Sequence, residues 1–111
     1  MINIRLVRKN DNFIKLEVCG HSGYDILGRD IVCAAVSTIT QGVVIGLEEV
    51  ICKDFYYRID DKNASVFVDI SRYDKGTMSK AQILLNTFKY TIDSLILDYG
   101  KYIKMRIEEE Q

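Results

Sequence analysis

The residues best suited to chemistry in this chain are its single histidine, His21, and three cysteines, Cys19, Cys33 and Cys52. A thiol attacks as its thiolate, and that form is favoured by a nearby imidazolium or by the positive end of a helix. His21 precedes Cys33 by twelve positions, and the residues between them read SGYDILGRDIV. This polar, glycine-containing segment is long enough to allow a thiol–imidazole pair, which the spacing permits without proving.

Asp30 and the residues after it predict a helix whose first turn carries Cys33. Aspartate is typical of an N-cap, where its carboxylate accepts the N–H of Val32 or Cys33. First-turn N–H groups then point outward and could stabilise the oxyanion of an acyl-transfer intermediate. Asp30 could instead orient His21 as the third member of a catalytic set, although its negative charge beside a thiol favours the cap. Ser37, one turn further on, could hydrogen-bond within the site or back to its own helix.

Two alternatives to a catalytic thiol stay open on the residues alone. A cysteine in an apolar helical segment is usually a small buried hydrophobe, and Cys52 fits this interpretation well. Cys19 and His21 share a face of an extended strand and, with Cys33, could supply three ligands to zinc. One Cys-x-His pair is a weak metal signature, because no second pair follows it.

Length and composition predict one water-soluble domain over residues 1–111. The chain is 48% hydrophobic and 28% charged, with a formal net charge of -1, which argues against disorder and against a nucleic-acid surface. The opening residues MINIRLVRKN do not resemble a signal peptide, and polar residues interrupt the longest apolar segment before it reaches the roughly 18–20 residues of a membrane span. Three cysteines, an odd number, disfavour a disulfide scaffold and indicate a reducing cytoplasm.

The hydrophobic periodicity predicts five strands and two helices in the order β-β-α-β-β-α-β. Alternating residues indicate strands near 2–6 and 13–20, a hairpin near 54–59 and 65–71, and a last strand near 103–107. The apolar segment from Asp30 to Cys52 predicts a helix that must be buried in the domain or at a subunit contact. Ser79 and Gln82 match a capping box for the second helix, which Gly100 would end. The fold class is therefore α+β, a single two-layer domain with a mainly antiparallel sheet and two long helices.

Gly20–His21 and the block GRDIVCAAVS at Gly28–Ser37 resemble the ribosomal-processing cysteine protease family Prp (YsxB-like). The short order of elements, the chain length and the His-to-Cys separation also fit, so the resemblance covers the whole domain. Alanine is common after the histidine in that family. Here Ser22 stands in its place, a departure expected to lie outside the chemistry.

The resemblance implies an endopeptidase that removes a short N-terminal extension from a large-subunit ribosomal protein precursor, cutting after an aromatic residue. It implies a homodimer that needs no metal or organic cofactor. The charge balance and the hydropathy described above predict no direct nucleic-acid or membrane partner. His21 matches the general base and Cys33 the nucleophile, while Asp30 and Ser37 match supporting positions. Residues 22–29 match a mobile substrate flap, with Ser22, Gly23, Tyr24, Gly28 and Arg29 as its candidate residues. The alternatives are a non-catalytic dimeric ribosome-assembly or binding module and a Cys/His zinc-binding protein.

Overall fold

A computed structural model describes residues 1–26 and 29–111 of the chain. Its elements follow the predicted order. They are β1 (Ile2–Lys9), β2 (Asn12–Cys19), α1 (Ile31–Ile45) with a π-helical continuation (Gly46–Ile51), β3 (Tyr56–Asp60), β4 (Ser65–Asp69), α2 (Lys75–Tyr99) and β5 (Ile103–Glu109).

The five strands form one sheet in the order β3-β4-β2-β1-β5. All neighbours are antiparallel except β1 and β5. The turn between β1 and β2 uses Asn10 and Asp11, both with positive φ, a conformation that Asn and Asp tolerate better than most residues. The predicted α+β class and mainly antiparallel sheet are confirmed.

Alternation along the strands gives the sheet an apolar and a polar face. Ile4 lies opposite Val18 and Leu6 opposite Leu16, and all four side chains are buried. Phe88 of α2 is also fully buried in the same core. On the other face the strands carry charged residues, several of them paired across strands (Arg5–Glu17, Arg5–Glu108 and Lys15–Glu110). The domain is therefore two-layered, with helices on one face of the sheet.

The long apolar helix is less buried than its composition predicts. Val32, Val36, Thr40, Val43 and Val44 form its buried side at helical spacing. On its other side Ile31, Ile45 and Val50 are more than half exposed. The sequence expectation that no segment is long and apolar enough to span a membrane is wrong, because the helix Ile31–Ile51 meets that criterion by length and composition. Core helices of globular domains also meet this criterion. Part of the apolar surface of this helix is therefore left uncovered by the rest of the described chain.

The second helix begins earlier than the capping-box prediction placed it. Asp74 is the N-cap and accepts the N–H of Thr77 at 2.8 Å, while Ser79 lies inside the helix and donates to the carbonyl of Lys75. Gln82 does not cap the helix either. Its side-chain amide accepts from the N–H of Phe13 at 2.7 Å and donates to the carbonyl of Phe13 at 2.8 Å, which joins α2 to β2.

Candidate active site

Cys33 stands in the first turn of α1, at the third helical position, as predicted. Asp30 has extended backbone angles and accepts the Cys33 N–H at 2.9 Å through Oδ1, so the predicted N-cap is confirmed. Cys33 is partly exposed and is a free thiol. Its sulfur therefore lies at the positive end of a helix and is accessible from solvent.

His21 reaches the same region because the chain leaves the sheet sharply at Gly20. Gly20 has a φ of +97°, and a Cβ there would stand 2.5 Å from the carbonyl oxygen of Met1. Its N–H donates to the carbonyl of Ala64 at 3.1 Å, which fixes the end of β2 against the β3–β4 turn. Only glycine combines this backbone angle with such a close approach. The following residue, His21, is exposed.

Ser22 connects the end of β2 to the start of α1. Its backbone N–H donates to the Sγ of Cys33 at 3.2 Å. Its hydroxyl donates to the Oδ2 of Asp30 and accepts the N–H of Tyr24 at 3.1 Å. Ser22, expected as a flap residue outside the chemistry, therefore contacts the candidate nucleophile through its backbone. Its identity gave no signal of this, since the contact with sulfur uses the backbone.

Asp30 is held as a carboxylate by the groups around it. Burial raises its pKa, but the Ser22 hydroxyl and the backbone N–H groups of Cys33 and Asp25 outweigh burial and lower the pKa to about 2. Within the described residues Asp30 makes no hydrogen bond to His21. Its oxygens are directed to the helix start and to Ser22, which fits a cap and not an orienting role for the histidine.

His21 and Cys33 line one open cleft with a volume of about 900 Å³. Ser37 and Asp30 line it as well, so all four residues given a catalytic or supporting role lie along the same cleft. Among the described residues of its lining, His21 is the one side chain that can carry positive charge. The other ionisable side chains there, the thiol of Cys33 apart, are carboxylates, those of Asp25, Asp30, Asp60 and Asp61.

The cleft continues into a smaller apolar groove that sequence analysis missed. This groove, about 290 Å³ in volume, shares Thr40, Gln41, Ile59 and Val66 with the cleft. Val44, Ile45, Glu48 and Tyr57 complete its lining. It lies between α1 and the edge strand β3. The alternation of Tyr57 and Ile59 indicates that both side chains lie on one face of a strand. The sequence does not show that no other element packs on that face beside α1.

The predicted flap residues have different environments. Ser22 is buried, whereas Gly23 and Arg29 are exposed. Tyr24 is exposed as well, and its ring packs edge-to-face on Tyr99 and Tyr102, with ring centroids 5.9 and 5.2 Å away. Gly28 lies outside the described residues.

Other candidate residues lie apart from this cleft. Cys19 ends β2 in register with Asn3 and Ser65, and Cys52 follows the π-helical segment. Neither lines the described cleft. Across residues 1–26 and 29–111, no three His, Cys, Asp or Glu side chains are grouped to hold a metal ion. Tyr73 and Met78, near the start of α2, are buried and do not line the cleft.

Residues 1–104 match the family described as cysteine protease Prp. None of the curated proteins compared with the chain matches it. Among solved structures, the chain is similar to SMU.848 from Streptococcus mutans, with 28% identity and a TM-score of 0.84 over 99% of this chain and 96% of that one.

Two structures of the ribosomal processing protease Prp from S. aureus have the same fold. One is bound to a covalently linked product peptide and matches with 19% identity and a TM-score of 0.86. The other is bound to a substrate peptide and matches with 18% identity and a TM-score of 0.81. Both alignments cover 97% of this chain and 100% of the S. aureus chain.

Proposed function

Because the chain belongs to the cysteine protease Prp family, we propose that it is the cytoplasmic endopeptidase that removes the N-terminal extension of a large-subunit ribosomal protein precursor. Membership makes it a cysteine protease that hydrolyses peptide bonds. The observation that carries the finer proposal is one cleft that holds Cys33 at a helix start together with His21. The S. aureus protease of the same fold, described as ribosomal processing and bound to a substrate peptide, supports the choice of substrate.

In the proposed mechanism Cys33 is the nucleophile and His21 the general base. His21 takes the thiol proton and Cys33 attacks the scissile carbonyl, which gives a tetrahedral oxyanion. His21 then protonates the leaving amine, and the N-terminal fragment stays on Cys33 as a thioester. Water activated by His21 hydrolyses the thioester and releases that fragment.

The start of α1 supplies donors for the oxyanion. The Cys33 N–H is already taken by Asp30 at 2.9 Å. The N–H groups of Ile31 and Val32 lie at the first two helical positions, where an α-helix offers no internal acceptor. These two groups are our candidates for the oxyanion hole, and the helix dipole adds to their effect.

An extended, largely apolar peptide fits the described surface. The cleft leads from Cys33 to Ile59 and Val66 and on into the groove beside Tyr57. Aromatic and aliphatic side chains would bury apolar area there. The flap residues Gly23, Tyr24 and Arg29 would cover the bound segment, with Ser22 fixed at the base of the flap, and Ser37 would support the site from the next turn of α1.

We further propose that the protein is a homodimer joined through the exposed side of α1. Ile31, Ile45 and Val50 are 53%, 56% and 78% exposed along this helix and its continuation, so a second copy packed there would bury apolar surface. Light scattering coupled to size exclusion should give twice the 12.8 kDa chain mass. Ile45→Glu should give a monomer if this surface is the interface, whereas a dimer that survives Ile45→Glu and Val50→Glu would exclude it.

The substrate is tested with the ribosomal protein precursor from the same genome. We expect one cut, directly after an aromatic residue at the end of the N-terminal extension, read from product masses. A precursor with that aromatic residue replaced by alanine is the matched control and should be cut at least about tenfold more slowly. An intact precursor after prolonged incubation, or a precursor gene without an extension, would contradict the proposal.

A further inference from the structure

Three hydrogen bonds form a closed ring between the end of β2 and the start of α1. The Cys33 N–H donates to one oxygen of Asp30 at 2.9 Å, and the Ser22 hydroxyl donates to the other. The Ser22 N–H returns to the Cys33 sulfur at 3.2 Å. Cys33 is therefore held at both its backbone and its side chain, and Ser22 is the member that closes the ring.

The Ser22 side chain is buried and held by hydrogen bonds, although it lies in a loop between exposed residues. It is 4% exposed, although its neighbours His21 and Gly23 are both exposed. Its hydroxyl is used twice, as a donor to Asp30 and as an acceptor for the Tyr24 N–H at 3.1 Å. A short polar side chain with both roles satisfied fixes the backbone that carries it.

The Ser22 N–H points at the sulfur atom that attacks the substrate in the proposed mechanism. A hydrogen bond donated to an ionisable group favours its charged form. The carboxylates that line the same cleft, those of Asp25, Asp30, Asp60 and Asp61, have the opposite effect on a thiolate. The helix start and this N–H place positive partial charge beside the Cys33 sulfur.

We propose that Ser22 is a positioning residue of the protease: its hydroxyl, held by Asp30, keeps the Ser22 N–H on the Cys33 sulfur and so maintains the reactive thiolate. Without the hydroxyl, Asp30 still caps α1 through Cys33, but Ser22 loses one of its two attachments to the helix start and keeps only the N–H bond to sulfur. The N–H is then free to turn away from sulfur. This inference rests on Cys33 being the nucleophile.

The test measures alkylation of Cys33 by iodoacetamide in the full-length protein, with peptide mass spectrometry separating Cys33 from Cys19 and Cys52. Ser22→Ala should slow the reaction about fivefold at about pH 6 and leave it within about twofold at about pH 9.5, where thiols ionise regardless. Ser22→Thr, which keeps the hydroxyl, should restore the rate at the lower pH. Ser79→Ala, a serine on the exposed side of α2, is the matched control and should match wild type.

With peptide substrate, Ser22→Ala should lower kcat about fivefold and leave KM within about twofold. Wild-type alkylation rates at both pH values would overturn the proposal. A slowing of equal size at both values would also overturn it, because that pattern indicates access to the thiol and not its ionisation. Alkylation needs no substrate. The alkylation rates can therefore be interpreted even if the ribosomal protein precursor is not cleaved.

Discussion

The carboxylate of Asp30 accepts the backbone N–H of Cys33 at 2.9 Å, so the residue that begins α1 is bonded to the proposed nucleophile itself. Its second oxygen accepts from the Ser22 hydroxyl. Asp30 thus joins the helix start to the loop that follows His21. A residue that sequence patterns indicate as a simple cap also holds the loop that follows His21.

The stability that the Asp30 carboxylate gives the fold should depend on pH in the acidic range. Its pKa is about 2 in the folded protein, below the ordinary value of 3.8. A carboxylate whose pKa is lowered by folding stabilises the folded protein fully at any pH above its pKa in the unfolded chain. That stabilisation is lost as the pH falls through its pKa in the folded protein. Asp30→Ala should therefore lower Tm by about 5 °C near pH 7, a difference that shrinks between about pH 4 and pH 2.

Thermal unfolding of wild type and Asp30→Ala across this pH range measures the difference. Asp98→Ala, which removes an exposed carboxylate near the end of α2, should follow wild type throughout. A difference for Asp30→Ala that stays constant down to about pH 2 would show that the carboxylate charge is not what stabilises the cap.

The second prediction concerns the attachment of α2 to the sheet. Gln82 satisfies both the N–H and the carbonyl of Phe13. Gln82→Ala leaves two partly buried backbone groups without partners and should lower the free energy of unfolding by about 1–3 kcal/mol. Urea denaturation provides the measurement. Asn86→Ala, one turn away and exposed, should change it by less than about 0.5 kcal/mol. Equal losses for the two variants would contradict the account of Gln82.

The third prediction concerns the sharp exit from β2. In Gly20→Ala a Cβ would meet the Met1 carbonyl oxygen at 2.5 Å, on a backbone with a φ of +97°. The free energy of unfolding should fall by about 1–3 kcal/mol. Peptide cleavage should also slow, because His21 is the next residue. Gly76→Ala is the control, since its nearest contact would be an ordinary 3.8 Å. Wild-type stability and activity in Gly20→Ala would refute this role.

Local patterns were sufficient for most of the fold. Alternation placed the strands, and Asp30 marked the first helix correctly because its cap bond is formed within three residues. The start of α2 was misplaced because Ser79 and Gln82 satisfy a local pattern while Gln82 bonds instead to Phe13, 69 positions earlier. The role of Ser22 was missed for a related reason. Its contact with Cys33 depends on the path of the loop, and any residue type at position 22 except proline could supply that N–H.

The central claim is that Cys33 attacks the peptide bond and His21 transfers the proton, and the rate of cleavage of a peptide spanning the precursor junction tests it most directly. Cys33→Ala and His21→Ala should each lower that rate by at least about a thousandfold while the far-ultraviolet circular dichroism stays that of wild type. Cys19→Ala, the matched loss of a thiol outside the cleft, should remain within about twofold of wild type. Cleavage by Cys33→Ala at the wild-type rate would contradict the account.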